Sequence, residues 1–188
     1  MIVVLDACVL YPPSLRDLLL TLAALDAFEV RWSAEILDEL TRNVLADHPD
    51  IEPERFVSHT IGAMSCAFPH AVVTVDPASV ERMDNEPKDR HVAAAAIAAE
   101  AQAIGTINVR DFRSTMLDDA AVAVITPGRL VSDLLTEAPE VVVTAIEHLA
   151  ARWVNPPRSA ASIIELLAVH PTMSEPMATL SRRIEQDQ

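Results

Sequence analysis

The chain has 188 residues, two cysteines and a formal net charge of −14, and hydrophobic residues make up 51% of it. This length suits one domain with a real core plus an appendage, and the acidity argues against sequence-independent binding of nucleic acid over the whole surface. No apolar run reaches the roughly 20 residues of a membrane span, the start lacks the basic segment of a signal peptide, and the cysteines form no disulfide framework, so we expect a cytoplasmic protein without a membrane span.

The first part of the chain alternates strand patterns with helix patterns. The apolar run Ile2–Leu5 predicts a buried strand, and Ser33 is a typical cap for the helix that follows it in the sequence. The segment 77–88 is polar and interrupted by proline, so we expect a loop there with a short turn at 79–83. The remaining predicted elements are a helix over 14–28, a short connection or strand at 29–32, a helix over 33–46, one or two helices within 53–68, and a strand at 71–75.

The second part continues this alternation and then changes character. We predict an alanine-rich helix over 89–102, strands at 103–107 and 121–125, and a helix over 126–135. Alternating strands and helices favour a central parallel sheet covered on both faces. After about residue 137, prolines divide the tail into helical segments at 141–153, 160–169 and 174–184. The predicted organisation is therefore an α/β domain over 1–136 and an all-helical appendage over 137–188.

Four acidic residues carry most of the functional information. Asp6 directly follows the first predicted strand, and Asp111 follows the strand at 103–107. Ligand sites of open parallel sheets form at the carboxyl ends of the strands. Glu39 borders the apolar stripe of the second long helix, and Asp89 opens the alanine-rich helix. Carboxylates gathered at one edge repel each other unless a cation lies among them, so the pattern predicts a divalent metal site.

Each acid also has a purely structural interpretation. Asp89 suits the first turn of a helix electrostatically, and Asp111 could cap the turn near Phe112. Asp6 could cap a helix or act as a nucleophile, but Cys8 stands where the haloacid-dehalogenase phosphatases need a second Asp. Together, the four acids point to metal chemistry more strongly than any one of them alone.

The basic residues near these acids are candidates for binding phosphate. Arg90, Arg110 and Arg113 lie beside the acids in sequence, and arginine suits bidentate contacts to phosphate better than lysine does. The alternative is that each arginine only offsets the acidic surface.

Three segments, in this order, resemble the PIN-domain nucleases, and most closely the VapC-type toxins of bacterial toxin–antitoxin pairs. They are Val3-Val4-Leu5-Asp6-Ala7-Cys8-Val9-Leu10-Tyr11-Pro12, Lys88-Asp89-Arg90-His91-Val92-Ala93-Ala94-Ala95 and Thr106-Ile107-Asn108-Val109-Arg110-Asp111-Phe112, with Glu39 between the first two. The resemblance covers about residues 1–135. It implies a PIN-like (Rossmann-like) parallel β-sheet flanked by helices, and an endoribonuclease that depends on Mg²⁺ or Mn²⁺.

The same resemblance implies roles for individual residues. The acid quartet of the family falls on Asp6, Glu39, Asp89 and Asp111. Asp6 and Asp111 would hold the principal ion, and Asp89 would share it. Thr106 and Asn108 match the polar positions beside the last acid, and Arg90, Arg110 and Arg113 would contact the phosphates of the substrate. Cys8 departs from the Asn or Ser of many relatives, which puts one hydrogen bond to Asp6 in question.

The implied partners are an RNA substrate and a small antitoxin protein. PIN domains of this type commonly form homodimers, and the apolar helix with Leu18–Leu20 could supply a face for one. The helical tail resembles the extension of a subgroup of these toxins. Two alternatives stay open: a structure-specific PIN nuclease acting on DNA or in RNA maturation, and a non-catalytic PIN-like binding module whose acids bind no metal.

Overall fold

The computed structural model describes residues 1–153 and 156–186. It contains a five-stranded parallel sheet flanked by helices. The strands are β1 (Ile2–Leu5), β2 (Glu29–Ser33), β3 (Val72–Val73), β4 (Ala103–Gly105) and β5 (Ala123–Ile125), in the spatial order β3-β2-β1-β4-β5. The predicted class, a PIN-like α/β fold with a helical C-terminal region, is confirmed.

The α-helices of the described residues are α1 (Ala7–Leu10), α2 (Pro13–Ala24), α3 (Ala34–Asp47), α4 (Pro53–Phe56), α5 (Gly62–Ala67), α6 (Pro77–Arg82), α7 (Arg90–Ala98), α8 (Thr115–Asp119), α9 (Pro127–Glu137), α10 (Pro139–Arg152), α11 (Ala160–Ala168) and α12 (Ser174–Gln186). A π-helical turn, Val57–Ile61, joins α4 to α5. Two 3₁₀ turns, Pro87–Asp89 and Val109–Phe112, precede α7 and α8. None of these helices has both the length and the apolar character needed to cross a membrane.

The chain divides into two compact units. The first comprises Met1–Tyr11 and Phe28–Val124, and the second comprises Pro12–Ala27 and Ile125–Gln188. The first therefore contains β1 to β4, and the second contains α2 together with α9 to α12. The predicted domain boundary at residue 136 stays a prediction, because a division by contacts does not test which part of the chain folds independently.

The centre of the first unit explains why the acids can meet. Val3, Val4 and Leu5 of β1 are fully buried, as expected for a parallel strand covered on both faces. The alanines of α7 pack against β1, β2 and β4, because small side chains allow a close approach. Helices of parallel αβ units run opposite to the strands, so α3 and α7 both begin at the carboxyl edge of the sheet. That edge is where β1 and β4 end.

Two helices differ from the expectation at sequence level. The segment 77–88, predicted as a loop, contains helix α6. Asp76 caps this helix by accepting a hydrogen bond from the Ala78 backbone N–H at 3.3 Å, and Pro77 occupies its first turn, where its missing N–H costs nothing. Helix α8 was not predicted, although Ser114 caps it in the same way through the Leu117 N–H.

The second unit is a set of packed helices. Helix α10 contacts α2, α9 and α11, and α12 contacts α9 and α11. Thr126 caps α9 by accepting a hydrogen bond from the Arg129 N–H at 3.2 Å. Near this cap, Gly128 lies directly against the backbone of Thr172, and its N–H donates to the Thr172 hydroxyl at 3.0 Å. This contact leaves no room for a side chain at residue 128.

Candidate active site

Asp6 is held rigidly at the carboxyl end of β1. Its backbone N–H donates to the carbonyl of Gly105, the last residue of β4, at 3.1 Å. Its carboxylate is 3% exposed. The Oδ2 atom accepts hydrogen bonds from the Thr106 hydroxyl at 2.7 Å and from the Cys8 thiol at 3.0 Å. Residues at the ends of two neighbouring strands therefore fix the orientation of the Asp6 carboxylate.

Cys8 supplies the hydrogen bond that its identity had put in question. The Sγ atom also accepts a hydrogen bond from the Ile107 N–H at 3.4 Å. Burial, and then the nearby charge of Asp6, raise the pKa of the Cys8 thiol to about 12. The sulfur therefore stays protonated and donates, as the hydroxyl or amide of a Ser or Asn would.

Asp111 lies on the 3₁₀ turn after β4 and is half-buried. The Asn108 carbonyl accepts from the Asp111 N–H at 2.9 Å, and the Glu86 N–H donates to the Asp111 carbonyl at 3.1 Å. Its carboxylate Oδ2 is 2.9 Å from the Nζ atom of Lys88. This contact, followed by the charge of Asp89, raises the pKa of the lysine ammonium group. The sequence did not identify Lys88 as a site residue, because its local pattern does not indicate a contact with the distant Asp111.

Asp89 combines deep burial with a raised pKa. It is 6% exposed, and among the described residues its Oδ2 has no hydrogen-bond partner. Lys88 Nζ is 3.8 Å from that atom, which is too far for a hydrogen bond. Burial raises the pKa of Asp89 to about 6; the charge of Lys88 opposes this shift, and the three other acids add to it. Asp89 therefore feels the charges of Asp6, Asp111 and Glu39 together.

Glu39 lies on α3 and lines a surface cleft. Its Oε2 atom is 3.0 Å from Nε2 of His91, and this contact lowers the pKa of the carboxyl group. Burial lowers the pKa of His91, but the contact with Glu39, the charge of Asp6 and a hydrogen bond with the Lys88 backbone together raise this pKa overall. The cleft encloses about 400 Å³ and is lined by Glu35, Asp38, Glu39, Arg42, Lys88 and His91.

The other residues predicted from the sequence are the polar pair Thr106 and Asn108 and the three arginines near the acids. Thr106 and Asn108 are linked, because the Asn108 backbone N–H donates to the Thr106 hydroxyl at 3.0 Å. The Asn108 side chain itself is exposed. Of the arginines, Arg90 is partly buried and donates to the Asn85 carbonyl at 3.3 Å, whereas Arg110 and Arg113 are exposed. These two side chains are the ones that a large ligand could reach directly.

The four acids have the donor atoms that a hard cation prefers, but their side chains are not arranged as a formed metal site. Within residues 1–153 and 156–186, no three His, Cys, Asp or Glu side chains are grouped closely enough to hold a metal ion. All four acids nevertheless offer carboxylate oxygens, the donors that Mg²⁺ and Mn²⁺ prefer. The buried Asp89 Oδ2 lacks a hydrogen-bond partner in the part of the chain that the structure describes, and such an atom is costly unless a cation or donor meets it.

The raised pKa of Asp89 predicts how stability depends on pH. A carboxyl group whose pKa is raised on folding binds its proton more tightly in the native state. That gain is complete below the unfolded pKa near 3.8 and is lost as the pH rises through about 6. We therefore expect Asp89→Asn to raise the free energy of unfolding of the metal-free protein by about 1–2 kcal/mol at about pH 8. The increment should shrink as the pH falls below about 5.

Urea unfolding with a chelator present measures this difference. Asp38→Asn is the matched control, because Asp38 is exposed on α3 and the change of charge is the same. The control should leave stability within about 0.5 kcal/mol of the wild type. A less stable Asp89→Asn at alkaline pH would show that the charge of Asp89 supports the fold.

A family model described as the VapC50 C-terminal domain matches residues 127–171. The matched segment begins at the N-terminus of α9 and extends through α10 and α11. No curated protein and no solved structure matches the chain significantly. The match lies in the helical region, largely outside the residues that carry the sequence resemblance, so the two observations are nearly independent. The match to the helical region therefore supports the resemblance to VapC-type toxins that carry a C-terminal extension.

Proposed function

We propose that this chain is a metal-dependent endoribonuclease, the toxin of a type II toxin–antitoxin pair. The observation that carries the proposal is the position of Asp89. Its buried Oδ2 has no hydrogen-bond partner among residues 1–153 and 156–186, and the charges of the other three acids act on this carboxylate. Asp6, Asp89 and Asp111 would hold Mg²⁺ or Mn²⁺, and Glu39 would bind an ion or orient a water molecule.

When bound, the ion would acidify a water molecule and stabilise charge on the phosphate that is attacked. The residues of the chain do the remaining work. Thr106 and Cys8 fix the orientation of Asp6, so little of its freedom is lost when a ligand arrives. Arg110 and Arg113 are exposed beside Asp111 and can neutralise the flanking phosphates of the substrate. The net charge of −14 makes such local arginines necessary for the approach of RNA.

The experiment for this proposal is to map cleavage ends in cells. RNA from cells that express the wild-type chain, and from cells that express Asp6→Asn, would be sequenced from its 5′ ends. We expect new ends at a small set of sites in the wild-type sample only. Identical ends in both samples would overturn the proposal.

A second function has an observation in its favour. Lys88 pairs with Asp111, and His91 with Glu39, so two of the acids already have basic partners in the chain. This arrangement suits a non-catalytic PIN-like module that binds a partner without metal. Titration calorimetry with Mn²⁺ distinguishes the two functions, because only the nuclease should give saturable heat.

The hydrogen bond from Thr106 to Asp6 allows a separate prediction. Thr106 is fully buried, and valine has nearly the same shape without the hydroxyl. We expect Thr106→Val to weaken Mn²⁺ binding and single-turnover cleavage by about 10- to 100-fold, because the orientation of a ligand is lost. Thr106→Ser keeps the hydroxyl and should retain most of both. Equal losses in the two variants would assign Thr106 to packing alone.

A further inference from the structure

The chain has 14 lysine and arginine residues, and Lys88 is the only lysine among them. Its Nζ atom is 2.9 Å from Oδ2 of Asp111 and 3.8 Å from Oδ2 of Asp89. The second of these atoms is the buried oxygen that lacks a hydrogen-bond partner among the described residues. The ammonium group therefore faces the same oxygens that a divalent cation would need.

We propose that Lys88 is an internal cation of the carboxylate cluster: its ammonium group stands between Asp89 and Asp111 in the metal-free protein, and a divalent ion binds there by displacing it. The inference deepens the proposed function and rests on it, because it assumes that these acids take a metal. It assigns to Lys88 a positioning role at the site, in competition with the ion.

The side chain is suited to this exchange. An ammonium group is a compact point charge on a flexible stem, whereas a guanidinium is a rigid plane with a fixed fork of donors. Lys88 is 63% exposed, and it also lines the cleft of about 400 Å³ together with Arg42 and His91. The ammonium can therefore leave the acids by rotation of its own side chain and remain at the wall of the cleft.

The arrangement has a consequence for the metal-free state. Without a counter-charge, Asp89 and Asp111 would repel each other at the edge of the sheet. Lys88 relieves that repulsion while the ion is absent, and it lowers the apparent affinity for the ion by the same interaction. Removing Lys88 should therefore tighten metal binding. It should also make the stability of the protein depend more strongly on the bound ion.

The first test compares Lys88→Gln with Arg110→Gln by calorimetric titration of Mn²⁺. Both variants lose one positive charge near Asp111, but Arg110 is exposed and makes no ion pair within the described residues. We expect Lys88→Gln to bind Mn²⁺ about three- to tenfold more tightly than the wild type, and Arg110→Gln to differ less than about twofold. Equal affinities of the two variants would overturn the inference.

The second test uses the fact that the chain has one lysine. Reductive methylation with ¹³C-formaldehyde labels Lys88 and the terminal amine, so the NMR signal of Lys88 is unambiguous. Titration with Mg²⁺ should shift the Lys88 methyl resonance with the same midpoint that calorimetry gives for unmodified protein. A resonance that stays in place while the ion binds would overturn the role of Lys88 and leave the nuclease proposal intact. If no ion binds to the wild type or to either variant, both proposals fall.

Discussion

Replacing Asp6 with Asn is expected to lower metal-dependent cleavage of RNA by at least about 100-fold, because loss of even an outer partner of a metal ligand commonly costs 10- to 100-fold. The substitution removes one negative charge and keeps the shape. The Thr106 hydroxyl, which donates to Oδ2 at 2.7 Å, can still donate to the amide oxygen. The fold should therefore survive, and it should be no less stable, since the cluster loses part of its self-repulsion.

Single-turnover cleavage with Mn²⁺, beside a thermal melt of each variant, measures this loss. Asp119→Asn is the matched control, because Asp119 is exposed on α8 and the change of charge is the same. The control should cleave like the wild type. Wild-type cleavage by Asp6→Asn would mean that the reaction does not use this carboxylate, and the assignment of the site would fail.

Replacing Gly128 with Ala is expected to destabilise the helical unit by about 3 kcal/mol or more. A Cβ at this position would lie 1.9 Å from the Thr172 carbonyl oxygen and 2.6 Å from the carbonyl carbon. These are backbone atoms, and Thr172 already has a φ of 71°, a conformation that a β-branched residue rarely adopts. Neither side of the contact can therefore move cheaply.

In contrast to Gly128→Ala, the substitution Gly62→Ala is expected to stabilise the protein. A Cβ at Gly62 would meet only the Val57 carbonyl oxygen, at an ordinary 3.5 Å, and the residue has helical dihedral angles. The substitution should raise stability by about 0.5–1 kcal/mol, because glycine is a poor helix former. Chemical unfolding of the two variants measures both changes. Equal stability of Gly128→Ala and the wild type would show that the contact with Thr172 is not close in solution.

Much of the fold could be read from local patterns. The run Ile2–Leu5 has the apolar character of a buried parallel strand, and it forms β1 with the predicted bounds. Ser33 was recognised as a cap, and its hydroxyl accepts a hydrogen bond from the Ile36 N–H. The pattern of 77–88, with Pro77 and Pro87, favours a loop, yet residues 77–82 form a helix, because a proline in the first turn after an Asp is also how a helix begins.

The arrangement of the charges was much less predictable. Asp6 and Asp111 could be placed at one edge because strand ends share an edge in a parallel sheet. The ion pairs of Lys88 and His91 join residues that are distant in the sequence, and no periodicity encodes them. Likewise, the leucine spacing of α2 predicts an apolar face, but only the structure shows that α10 and α11 cover it.

The central claim is that carboxylates from distant parts of the chain converge on one hydrated cation. Titration of the metal-free wild type with Mn²⁺ by calorimetry, beside Asp6→Asn and Asp111→Asn, tests it most directly. The account predicts saturable binding to the wild type, and binding that is at least about tenfold weaker in each variant. Absence of saturable heat with the wild type, or wild-type affinity in both variants, would contradict it.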